Sequence, residues 1–487
     1  MGMNHYLKYI SEIIWLKWYG EYLSCRDKPL PKTISLVDFL LWSNSLWNDS
    51  KSQIIPLLSQ TWVELQKPNI YIPNHYKAEY EREKWWLGNN IYHSLGFFYI
   101  QETSAALPAT LLDLQKGDVV LDMCASPWGK SVQILDQLNK LGWGVLLSNE
   151  IDRSRIDKLK DNVNKFAFAN DVIISHDSKY ISTNLSRVFD KILVDVPCSG
   201  EWTCHRGIRF LDKWSVDLVN KTAKLQLEII NNVYHSLKPG GTMIYSTCTI
   251  NPIENEWVIA RFLYEHRDMS LVDLSNLGFD GWIKWYDLDD HNCDKVVRLL
   301  PHIHYTWWFF VAKFVKKAKM AEVSKEAEKF KEAEKAEIVN FCKYIYDKFE
   351  IDINNSNDGY FYQNGENIYY VNGWSEQISQ TIYDLNNKIF KSVAGVMVAK
   401  IGRKGYILTH AFGKIFGGLA KKCLVYIYNM GILTKLVSDG WCDIGENVRV
   451  LWDNNLDNRF IFVKWGEDLN IYIWVGKVLW DWLKFNI

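Results

Sequence analysis

Between residues 118 and 248 one local pattern recurs: a short apolar run, a polar residue at its end, then helical spacing. "DVVLDMCA" (118–125) leads into helical spacing from Lys130 to about Leu141. "GVLLSNE" (144–150) leads into the amphipathic "RSRIDKLKDNVNKFAF" (153–168). "DVIISHD" (171–177), "KILVDVPC" (191–198) and "GTMIYSTC" (241–248) continue the series, with a helix expected over about 215–237. Repeated βα units predict an α/β fold, a parallel sheet with helices on both faces. Such sheets collect ligands at the carboxyl ends of their strands. Glu150, Asp177, Asp195, Cys198 and Cys248 all fall at such ends.

A chain of 487 residues has room for about three domains at ~150 residues each. Residues 1–95 read as an aromatic-rich accessory domain and 96–315 as the repeating core, closed by a pair of strands in "VVRLLPHIHYTWWFFVAKF" (296–314). The Ala/Glu/Lys run over 316–341 favours a charged helical linker, and 342–487 form a third region. A net charge of -1 leaves nucleic-acid binding to local patches. "KFVKKAK" (313–319), "GRK" (402–404) and "AKK" (420–422) are candidates; ordinary solvated surface is the equal alternative. Nine scattered cysteines without a CxxC pair argue against a zinc site and a disulfide framework, so no metal is expected. Lys8 and Glu12 interrupt the early apolar residues, so no signal peptide is read. No stretch is apolar and long enough to span a membrane. A cytoplasmic protein without a membrane partner is the expectation.

The strand-end residues suggest chemistry. Glu150 stands where a carboxylate takes the two hydroxyls of a ribose. Asp177 is placed to accept from an adenine amine, and Lys130 opens the first helix. Singly, each reads as a helix cap or solvated residue; together they predict an adenosine-containing cofactor. A lone cysteine is usually packing. Two at strand ends, Cys198 and Cys248, point to nucleophilic chemistry. A thiolate can add to C6 of a pyrimidine and make C5 rich enough in electrons to attack a methyl sulfonium. Loss of the C5 proton then expels the thiolate. Asp195 is placed to hydrogen-bond the base.

At these residues the chain resembles the RNA cytosine-5 methyltransferase family. "CASPWGKS" (124–131) is similar to the family's Cys-Ala-Ala-Pro-Gly-Gly-Lys-Thr, and "DVPCSGEWT" (195–203) to its Asp-Ala-Pro-Cys-Ser-Gly-Glu-Gly-Thr. "YSTCTINPIENE" (245–256) matches almost residue for residue. "GFFYIQETSAALP" (96–108) and "FFVAKF" (309–314) resemble the flanking segments, so the likeness covers about 96–315. It implies a Rossmann-like class I methyltransferase core that uses S-adenosylmethionine. Cys248 would be the covalent nucleophile and Cys198 would assist product release. Cys124, Ala125, Ser126, Pro127, Trp128, Gly129, Lys130, Glu150, Asp177 and Asp195 would line the cofactor site, with Arg155 a weaker candidate. The order of regions resembles the bacterial branch that methylates 16S ribosomal RNA, the RsmF type. On that branch "FGGLAKK" (416–422) and "VGKVLWDWLKFN" (475–486) look like parts of a C-terminal RNA-binding region ending in a PUA-like module. The implied partner is RNA, 16S rRNA or the small subunit. Transfer RNA is the rival substrate, and a non-catalytic RNA-binding assembly factor is the rival class.

The departures from the family run one way. Trp128, Trp202, Trp307, Trp308, Trp474, Trp480 and Trp482 stand at glycine-like or small positions, and Trp143 sits in a helix-to-strand turn. The chain has 23 Trp against 28 Gly. Either these tryptophans are genuine, or the gene uses UGA for glycine and the sequence reads it as tryptophan. The codons at these positions decide between the two.

Overall fold

The computed structural model describes residues 96–142, 144–200, 214–279, 294–318 and 336–349 continuously. Shorter stretches are described before and after these, chiefly 31–37, 63–68, 74–79, 87–94, 359–372, 393–402 and 405–409. Trp143, Trp202, Trp480 and Trp482 lie outside the described residues, as do most of 316–335 and of the two C-terminal motifs.

The repeating pattern becomes five parallel strands: β5 (Val119–Asp122), β6 (Val145–Asn149), β7 (Asp171–Ile174), β8 (Phe189–Asp195) and β9 (Leu237–Thr247). Their spatial order is β7-β6-β5-β8-β9. The chain therefore leaves β5 toward one edge and later returns to its other side at β8. The crevice between the carboxyl ends of β5 and β8 is the switch point where such sheets bind ligands. Antiparallel strands then make the sheet mixed rather than purely parallel. β12 (Phe309–Lys316) pairs with β9, and β10 (Met269–Leu271) and β11 (Val297–Leu299) pair with β12.

Alternation along the strands sends side chains to two cores. Val120 and Leu146 face one cluster, shared with Val132, Leu135 and Leu138 of the helix Gly129–Lys140 and Leu159 of the helix Arg153–Phe166. Val119, Leu121 and Leu147 face the other. There they meet Ala223, Ile230 and Val233 of the helix Val216–Tyr234, and Val258 and Phe262 of the helix Glu256–Glu265. Each strand is thus buried on both faces, which is why its sequence reads as an unbroken apolar run.

Before the core, β1 (Lys32–Leu36), β2 (Glu64–Pro68), β3 (His75–Glu79) and β4 (Phe98–Ile100) form a sheet of order β2-β3-β1-β4. Its last strand lies beyond residue 95, so the sheet crosses the boundary expected there. After the core, the helix Ala336–Phe349 begins inside the expected linker and runs past its end. β13 (Gly359–Asn364), β14 (Asn367–Asn372), β16 (Val396–Gly402) and β17 (Gly405–Leu408) form a further antiparallel sheet. Between β14 and β16 lies β15 (Val393–Ala394), which pairs antiparallel with the outer edge of β7. Gly395 follows at φ 67, its N–H donating 2.7 Å to the Asp171 carbonyl. A Cβ there would collide with the Tyr370 carbonyl, so only glycine fits. Among the described residues no helix is long and apolar enough to cross a membrane.

Candidate active site

The turn after β5 is held by backbone bonds to both neighbouring strands. Met123 N–H donates to Leu193 O at 2.9 Å, and Ala125 N–H to Asn149 O at 2.8 Å. Trp128 then takes φ 83 and ψ 2, the left-handed conformation that glycine adopts freely. Its indole is fully buried and packs against Phe166 and Phe168 at centroid distances of 6.0 and 6.2 Å. The side chain is therefore directed into the core, and only the Trp128 backbone is left to line the turn. Gly129 follows where a Cβ would stand 2.9 Å from the Tyr99 ring, and Tyr99 donates its hydroxyl to Pro127 O at 3.0 Å.

Lys130 reaches across the switch point to Asp195, Nζ to Oδ2 2.6 Å. The other oxygen, Oδ1, accepts the Ser246 hydroxyl at 2.7 Å. Both Asp195 oxygens are thus engaged, and a base arriving there must share or displace one of these donors. The Lys130 ammonium also lies 5.3 Å from the centre of the Phe309 ring. Beside this pair, Cys198 and Cys248 bring their sulfurs to 2.8 Å. Its hydrogen bond to Cys248, with burial and the Glu254 carboxylate adding to it, holds the Cys198 thiol well above its ordinary range. Either sulfur can donate in this contact, and the raised Cys198 thiol favours its protonated form.

Residues 109–315 match the family model described as 16S rRNA methyltransferase RsmB/F. Over these residues the chain is similar to the RsmB/F methyltransferases. It is 30% identical over 307 residues to the ribosomal RNA small subunit methyltransferase F of Shewanella frigidimarina, covering 62% of this chain and 60% of that one. With the enzyme of the same name from Erwinia tasmaniensis it shares 33% over 237 residues, 48% of each chain. The chain thus spans about half to three-fifths of these relatives. A crystal structure of a methyltransferase homolog protein from Pyrococcus horikoshii superposes with a TM-score of 0.52 at 26% identity, covering 62% of this chain and 92% of that one.

The residues of the matched core fit S-adenosylmethionine, the cofactor of a methyltransferase of this kind. Glu150 is 2% exposed, and Oε1 alone accepts from Asp152 N–H and Arg155 Nη2, each at 2.8 Å. Oε2 takes no hydrogen bond from the described residues. Arg155, read as a marginal candidate, is the residue that fixes Glu150. Asp177 caps the helix Ser178–Asn184 through Oδ1, which accepts Tyr180 N–H at 2.8 Å, and keeps Oδ2 open. Cys124 and Ser126 are half-buried on the turn between them, Ala125 is buried, and Pro127 is exposed.

Two features of the core escaped the sequence. Asn149, 1% exposed, donates to Met123 O at 2.9 Å and to His176 O at 3.0 Å, and accepts from His176 N–H at 3.0 Å. One side chain thereby ties together the turns after β5, β6 and β7. Glu254, fully buried, accepts from Ser199 N–H at 2.8 Å and from Gln226 at 2.9 Å. Gln226 also donates to Pro197 O at 2.9 Å, so both residues flanking Cys198 are anchored. The turn after Cys248 is braced in the same way: Asn255 accepts the Thr247 hydroxyl at 2.6 Å and donates to Thr249 O at 3.0 Å.

Beneath the turn, Asp171 is buried, accepts the Ser148 hydroxyl at 2.7 Å and lies beside the Trp128 indole N–H, which favours its charged form. Burial outweighs these contacts and raises Asp171 to about 7; burial likewise raises Asp122 to about 7. Each carboxyl holds its proton in the folded chain over a range where the unfolded chain has lost it. Stability therefore falls as pH rises from about 4 to about 7, with a slope of at most ~1.4 kcal/mol per unit for each group. Urea unfolding from pH 5 to 8 is expected to show this decline. Asp171→Asn, which cannot ionise, is expected to remove about half of the slope; an unchanged slope would mean that Asp171 is ionised in the fold.

Proposed function

We propose that the chain methylates C5 of a cytidine in RNA, in 16S ribosomal RNA, through a covalent bond between Cys248 Sγ and C6 of the base. The observation that carries this is the pair of sulfurs at 2.8 Å beside the Lys130–Asp195 ion pair, at the carboxyl edge of the sheet. Two sulfurs so close let one serve as nucleophile while the other assists. Attack by Cys248 raises electron density at C5. S-adenosylmethionine supplies, when bound, the methyl group that C5 receives. Asp195 and Lys130 orient the base and balance its charge. Cys198 lies within reach to assist the elimination that frees Cys248. Glu150 and Asp177 hold the ribose and the adenine.

A base inside a helix cannot reach the two sulfurs, so the target is unpaired or turned out of its stack. The regions 1–95 and 342–487 are assigned to RNA recognition, with a PUA-like module at the C-terminal end. The names of the relatives support ribosomal rather than transfer RNA. The test is transfer of tritium from methyl-labelled S-adenosylmethionine to three acceptors: 16S rRNA, small subunits and bulk transfer RNA. Label in 5-methylcytidine of the first or second is expected. Label only in transfer RNA would move the substrate, and label in none would remove the reading.

A further inference from the structure

We propose that Tyr305 is a stacking platform for an unpaired nucleobase of the RNA strand next to the target cytidine. This rests on the reading of the chain as an RNA methyltransferase. Tyr305 is 75% exposed, more than any other large apolar side chain among the described residues. Its backbone stands at φ 54 and ψ 36, a left-handed conformation that costs a tyrosine about 1 kcal/mol or more and a glycine nothing. A strained, solvent-facing aromatic gains nothing for the fold by itself.

The turn that displays it is held from both sides. Tyr305 N–H donates to Pro301 O at 3.1 Å, and His304 N–H to Leu300 O at 2.8 Å. Thr306 and Trp307 are fixed to Glu102, the residue that caps the helix Thr103–Thr110: the Thr306 hydroxyl and the Trp307 N–H, at 3.1 Å, both donate to Oε1. Behind the turn, Trp308 is fully buried. Ring and backbone are thus presented on a rigid mount.

The position of the mount suggests the occupant. β12 runs antiparallel to β9 with Phe310 opposite Thr247, so the residues before Phe309 come to the edge where Cys248 follows Thr247. Phe309, four residues after Tyr305, already lies against Lys130. A cytidine that leaves its stack to meet Cys248 deprives its neighbours of a stacking partner. An aromatic face presented toward this edge of the sheet restores one, and base-on-aromatic stacking tolerates any sequence.

The experiment uses the full chain and its Tyr305→Gly and Tyr305→Phe variants. The probe is a single-stranded RNA 12-mer with one cytidine flanked by 2-aminopurine. Glycine relieves the backbone strain while removing the ring, so the two effects separate. We expect Tyr305→Gly to keep or raise the melting temperature and to keep S-adenosylmethionine binding. It should weaken RNA binding about tenfold and lose the quenching of 2-aminopurine. Tyr305→Phe should retain both affinity and quenching. A glycine variant that binds and quenches like the wild type overturns the proposal, as does one whose lost binding comes with a lowered melting temperature, since the ring would then be packing. If the wild type methylates 16S rRNA while Tyr305→Gly matches its KM, only this inference fails. If the wild type neither binds nor methylates RNA, the function proposed above fails with it.

Discussion

Cys248→Ala is expected to reduce methyl transfer at least about a thousandfold, the scale on which loss of a covalent nucleophile is felt. Cys198→Ala is expected to lose turnover in another way, by accumulating protein bound covalently to RNA. The difference follows from the geometry. The two sulfurs are 2.8 Å apart, and that contact favours the protonated form of the Cys198 thiol. Removing Cys198 leaves Cys248 able to attack C6 but removes the thiol placed to assist its departure. Denaturing gels of RNA-bound protein separate the outcomes: a slow band for Cys198→Ala, none for Cys248→Ala. A slow band from Cys248→Ala and none from Cys198→Ala would exchange the two roles. Neither substitution should unfold the chain, since both residues are only half-buried.

The second large effect is expected at Trp128. Substitution by glycine acts in two opposite directions. It releases the left-handed strain at φ 83, worth roughly 1–3 kcal/mol. It also deletes a fully buried indole packed on two phenylalanines, which costs about 3–5 kcal/mol. The cavity term is the larger, so Trp128→Gly is expected to destabilise the chain by about 2 kcal/mol. Equilibrium unfolding measures it directly. A glycine variant of equal or greater stability would mean that the pocket closes around a glycine, and would favour the reading in which UGA encodes glycine. S-adenosylmethionine binding should survive the substitution, because the indole faces the core and not the turn.

How much of this was legible in the sequence follows from the range of the interactions. The five parallel strands were legible because burial on both faces leaves a local signature. Their polar ends were legible because the pattern places them before any folding is known. The direction of the Trp128 indole was not, since backbone torsion and the space beside Phe166 and Phe168 decide it. Asn149 looked like an ordinary residue before a carboxylate; its role exists only once three turns converge. Glu102 and Thr306 meet across the whole core. β15 has two residues, too few for any periodicity, and the N-terminal sheet is built from short strands without a repeating pattern.

β15 also bears on how the protein is made. The outer edge of the catalytic sheet, along β7, is completed by residues synthesised well after the last of the core's other strands. Until Ala394 has left the ribosome, Val172 and Ile173 present an open strand edge. A nascent chain halted in the linker would carry every residue assigned to catalysis and still expose a template for pairing with its neighbours. The C-terminal region thus covers a strand edge that the core by itself would leave open.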